Sequence, residues 1–87
     1  MMYTKDSIEA AYCFFHQKLR IYNHSTIATQ KDDIEYSIAS YVEGMNQKLY
    51  LTIAEDKKDF LTDHTSFADD MRNAVDRLER MMSGRNP

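Results

Sequence analysis

The chain has 87 residues and a formal net charge of −3, from 11 basic and 14 acidic side chains. At that length it reads as a single domain over 1–87 that buries about 60–65% of its unfolded surface. The composition excludes several classes. Lys and Arg are scattered among acids, unlike the basic face that neutralises phosphates in a nucleic-acid domain. One cysteine, Cys13, cannot form a disulfide within the chain. Two Gly and one Pro speak against a turn-rich β fold. No apolar run approaches the ~18 residues of a membrane span, and the polar Met1–Ser7 lacks the apolar region of a signal peptide. The expectation is a cytoplasmic protein with no membrane contact.

Thr4 to Tyr22 is predicted to form the first helix, capped by Thr4 or Ser7. Ile8, Ala11, Tyr12, Phe15, Leu19 and Tyr22 share one face. Beside it lies a smaller apolar group of Ala10, Phe14 and Ile21, with Lys18 between the two. Asn23 to Gln30 is polar apart from Ile27 and reads as a break. Thr29 or Asp32 is the expected cap of the next helix.

The stretch from Asp32 to Ala54 organises the rest. Ile34, Ile38, Tyr41, Val42, Met45, Leu49 and Ile53 fall on one stripe at 3.6 residues per turn, which predicts a long central helix. Gly44 is its weak point, costing about 1 kcal/mol against Ala in a helix interior. The same residues also permit a hairpin over Asp33–Ile53, since Ile34, Tyr36, Ile38 and Val42 nearly alternate and Leu49, Leu51 and Ile53 alternate again. The helical reading leaves Tyr36, Tyr50 and Leu51 off the stripe.

Glu55 to Asp59 is a charged break. Phe60 and Leu61 follow as an apolar pair that plugs the end of the assembly. The last helix is predicted from near Ser66, with capping-box spacing across Ser66-Phe67-Ala68-Asp69. Phe67, Met71, Ala74, Val75, Leu78, Met81 and Met82 form its stripe. Ser83-Gly84 stops it, and 83–87 is expected to fray.

Chemistry-bearing residues are few. Cys13 and His16 stand three apart on the first helix and supply two metal ligands where a structural zinc wants four. His24 and His64 fall in predicted loops. A Cys–His nucleophile would also need an oxyanion site, and no glycine turn supplies one. Asp32-Asp33, Glu55-Asp56 and Asp69-Asp70 are neighbours that point to different sides of a helix, which suits helix-end roles better than an acid–base pair. The expectation is therefore no enzyme, no cofactor, no metal and no small-molecule substrate.

Gln30–Val42 (QKDDIEYSIASYV) and His64–Met71 (HTSFADDM) resemble stretches in short uncharacterised proteins of bacterial conjugative and other mobile elements. The resemblance implies a helical bacterial accessory protein and carries no site residues.

These readings converge on an all-α domain, a three-helix up-down-up bundle with a long central helix, or alternatively α+β with a hairpin between two helices. The expected role is a non-enzymatic interaction module that binds a protein partner or itself as a homodimer. Phe14, Ile21, Tyr36, Tyr50 and Leu51, the large apolar residues off the main stripes, are its contact candidates. The rival is a small nucleic-acid-associated regulator of a mobile element. It requires Arg77, Arg80 and Arg85 to gather other basic residues on one face.

Overall fold

A computed structural model describes residues 4–83. They form α1 (Lys5–His24), α2 (Ala28–Gly44), α3 (Gln47–Ala54), a 3₁₀ turn at His64–Ser66 and α4 (Phe67–Met82). No strand occurs among the described residues, so the chain is all-α and the hairpin over Asp33–Ile53 is ruled out. The long central helix is also corrected, because α2 and α3 divide it.

Helix α1 starts where the sequence places it. Thr4 adopts extended backbone and its Oγ1 accepts the Ser7 N–H at 3.1 Å. The helix runs two residues past Tyr22, so the link to α2 shrinks to Ser25–Ile27. Ser25 Oγ donates to Gln30 Oε1 at 2.8 Å, and the Ile27 carbonyl accepts from the Gln30 and Lys31 amides. Ile27 thus takes the cap position without a side-chain cap bond, and the expected caps Thr29 and Asp32 lie inside the helix.

The division of the central helix has a local cause. Met45 is extended (ψ 168°), and the Asn46 side chain accepts the Lys48 and Leu49 amides at 2.9 and 3.2 Å. Asn competes well for backbone donors, and here it caps a new helix just after Gly44 has weakened the old one. Both pieces still bury the same stripe. Ile34 and Ile38 of α2 join Leu49, Ile53 and Ala54 of α3 in the core, with Tyr41, Val42 and Met45 half-buried around them.

Beyond α3 the backbone enters the left-handed region at Glu55 (φ 50°), Asp56 (φ 66°) and Leu61 (φ 65°). For an L-residue that conformation costs about 1–2 kcal/mol. At Leu61 it delivers the side chain, and that of Phe60, into the core. Burying a Leu contributes about 1.5–3 kcal/mol, enough to offset the strain.

The capping box expected at Ser66 does not form. Asp63 Oδ1 instead accepts the Thr65 N–H at 3.0 Å, and the Ser66 hydroxyl turns away to Asp70 Oδ2 at 3.2 Å. A carboxylate is the stronger acceptor, and it holds the hydroxyl that would otherwise have capped α4. Phe67, Met71, Ala74, Val75 and Leu78 are buried along α4, and Met81 and Met82 are partly so. Gly84–Pro87, which carry most of the tail expected to fray, lie outside the described residues.

Ring contacts set the directions. Tyr22 meets Phe67 with centroids 5.2 Å apart, so α4 begins beside the last turns of α1 and runs back along it. Lys31 lies 5.1 Å over the Tyr22 ring, while Tyr41 stacks on Phe14 at 4.2 Å. Helix α2 therefore runs antiparallel to α1 and beside it, and both turn their inner faces to one shared core.

Candidate functional site

The five contact candidates divide by environment. Phe14 is half-buried between the Tyr41 ring and Lys18, whose Nζ sits 5.5 Å from the Phe14 centroid. Tyr50 is also half-buried, and its hydroxyl donates to the Phe60 carbonyl at 2.7 Å. Burial and then the carboxylates of Asp70 and Asp59 raise the Tyr50 pKa, so the phenol stays protonated as a donor. These two side chains are engaged within the chain. Tyr36 is 75% exposed, Leu51 64% and Ile21 46%. Ile27, in the α1–α2 link, adds a fourth large apolar residue at 52%.

Two of the exposed residues have ordered surroundings. Ile21 belongs to the solvent face of α1, where His16, Gln17, Arg20, Ile21 and His24 line a shallow concavity of about 400 Å³. Tyr36 belongs to the solvent face of α2, with Asp32, Asp33, Ser40 and Glu43 exposed around it. Among the described residues, Arg20, Asp32, Asp33 and Glu43 take part in none of the ion pairs.

Several other charged groups serve the fold. Asp70 stands in the first turn of α4, as the sequence places it, and is only 2% exposed. Its carboxylate accepts from Lys57 Nζ at 2.9 and 3.0 Å, from the Leu61 amide at 2.9 Å and from Ser66 Oγ. One buried acid thereby ties the 55–63 loop to α4. A signal for it was present: Asp70 directly precedes Met71 and lies on the flank of the apolar stripe beside Ala74. Arg77 donates to the Ile53 carbonyl and pairs with Glu55 at 3.1 Å, closing the C-terminal end of α3. Arg72 pairs with Asp69, and Arg80 with Asp76, both at 2.6 Å. Arg77 and Arg80 are thus held by acids of this chain, and Arg85 lies outside the described residues.

A third cluster joins three elements. His64 Nδ1 is 3.1 Å from Glu35 Oε1 and 2.8 Å from Oε2. Oε2 is buried without a well-aligned hydrogen bond. The Glu35 hydrogen bond and charge raise the His64 pKa, and Asp32 and Asp63 push the same way. Tyr22 also faces Glu35; burial first, then that carboxylate, raises the phenol pKa. The Thr65 hydrogen bonds lower the pKa of Asp63.

Cys13 is exposed on the outer side of α1, and the Tyr12 ring stacks on His16 at 5.3 Å. No three His, Cys, Asp or Glu side chains among the described residues converge as metal ligands. No described helix is long and apolar enough to cross a membrane.

No protein-family model, curated protein or solved structure matches this chain.

Proposed function

We propose that this chain is a non-enzymatic helical interaction module that associates with itself through apolar side chains outside its core. The observation that carries the reading is the placement of Ile21, Tyr36 and Leu51. Each projects from a different helix, although a chain this small has few large apolar residues to spare. Tyr is favoured at interfaces because it offers a large, stiff, amphipathic contact area. Phe14 and Tyr50 are engaged within the chain instead, Phe14 on the Tyr41 ring of α2 and Tyr50 on the Phe60 carbonyl. A bacterial accessory role belongs to the same reading and rests on the resemblance of Gln30–Val42 and His64–Met71, and a cytoplasmic location is proposed from the lack of any membrane-length apolar helix among the described residues.

Light scattering over a hundredfold range of concentration tests it. Self-association gives a mass that climbs from about 10 kDa towards twice that value. Tyr36→Asp and Ile21→Asp then lower the mass without changing the helical circular dichroism. A mass that stays monomeric throughout refutes the reading.

A further inference from the structure

The solvent faces of α1 and α2 differ in charge. From Ala10 to Lys31 the chain holds no Asp or Glu, and the α1 concavity is lined by Arg20, His16, His24 and Gln17 around Ile21. From Asp32 to Gly44 it holds four acids and no Lys or Arg. One of the four, Glu35, is occupied by His64; the others, Asp32, Asp33 and Glu43, surround the exposed ring of Tyr36. The two helices lie side by side with their inner faces in one core, so their solvent faces are neighbours along one side of the molecule.

We infer that a second copy of this chain covers this side, with the acidic face of each α2 laid against the concavity of the other copy's α1, Asp33 opposite Arg20 and Tyr36 seated beside Ile21. This rests on the self-association reading above and names its surface. Complementary faces on adjacent helices suit a two-fold pair, because a two-fold axis that sets α1 on α2 of the partner sets α2 on α1 as well. Both contacts then match opposite charges, and two apolar side chains on each copy leave water. The concavity spans His16 to His24, nine residues with a rise of about 12 Å along the helix. Asp32 to Ser40 on α2 is the same length.

The test is a charge-reversal exchange followed by light scattering and native mass spectrometry. Arg20 and Asp33 are exposed and unpaired, so Arg20→Glu and Asp33→Arg keep the fold, which circular dichroism checks. Each variant alone sets like charges opposite one another twice and weakens the dimer at least about tenfold. Mixed in equal amounts, they form a heterodimer, since both of its contacts again pair Arg with an acid. Raising salt from about 50 to 500 mM also weakens the unaltered dimer, a result that needs no variant.

If the unaltered chain dimerises but neither reversal nor salt changes its mass, this arrangement is wrong and self-association through another surface stands. If both variants become monomers and the mixture stays monomeric, the pairing of these two faces is wrong. If the unaltered chain is a monomer at every concentration, both readings fail together.

Discussion

Asp70→Ala should destabilise this domain more than any other single loss of a charged group. The substitution leaves the Leu61 amide buried with no acceptor, which costs about 1–3 kcal/mol. The pair with Lys57 contributes at most about 1 kcal/mol, because the lysine lies at the surface. The Ser66 hydroxyl loses its acceptor but can turn to water, a loss of about 0.5 kcal/mol. The total is about 3 kcal/mol, against roughly 4–13 kcal/mol expected for a chain of this length. Urea unfolding followed by far-ultraviolet circular dichroism measures it directly, and the Tm should fall by roughly 10–20 °C. Asp70→Asn keeps an acceptor for the amide and should cost about half as much. Lys57→Ala should cost about 1 kcal/mol or less. A parent-like stability for Asp70→Ala, within about 0.5 kcal/mol, would refute the assignment of this carboxylate as the anchor of the loop. Equal losses for Asp70→Ala and Lys57→Ala would move the weight from the buried amide to the ion pair.

Three further outcomes follow from single contacts. Gly44→Ala should stabilise by about 0.5 kcal/mol in a thermal melt, since a Cβ there meets nothing within 4 Å and the unfolded chain loses freedom. Asn46→Ala should cost about 1 kcal/mol by freeing the first amides of α3, and no measurable loss would show that packing alone starts that helix. His64 has a folded pKa above its ordinary 6.5, so its link to Glu35 contributes fully below about pH 6.5. That contribution is lost as pH rises through the folded pKa. His64→Ala should therefore flatten the stability profile on the alkaline side of 6.5. A variant whose profile keeps the parent's slope there would remove the Glu35 link as its source.

Local pattern determined much of this protein. The α4 stripe, the Thr4 cap, the inner face of α1 and the burial of Phe60 and Leu61 all follow from spacing along the chain. Helical periodicity registers any residue whose partners lie within a turn or two, or that simply needs to leave water. Periodicity was silent about the break at Met45–Asn46. The apolar stripe continues across it, and the competition of the Asn46 side chain for two amides, next to Gly44, divides the helix.

Tertiary structure alone decided the rest. Tyr50 and Leu51 are neighbours and equally off the stripe, yet one hydrogen-bonds the Phe60 carbonyl while the other faces solvent. Asp69 and Asp70 are neighbours too, yet one pairs at the surface with Arg72 while its twin is buried under a loop. Glu35 and His64 stand 29 positions apart and Ile53 and Arg77 24 apart, distances at which pattern carries no signal. Which polar side chain is buried depends on whether folding brings it a donor, and donors so far along the chain arrive only once the helices have packed.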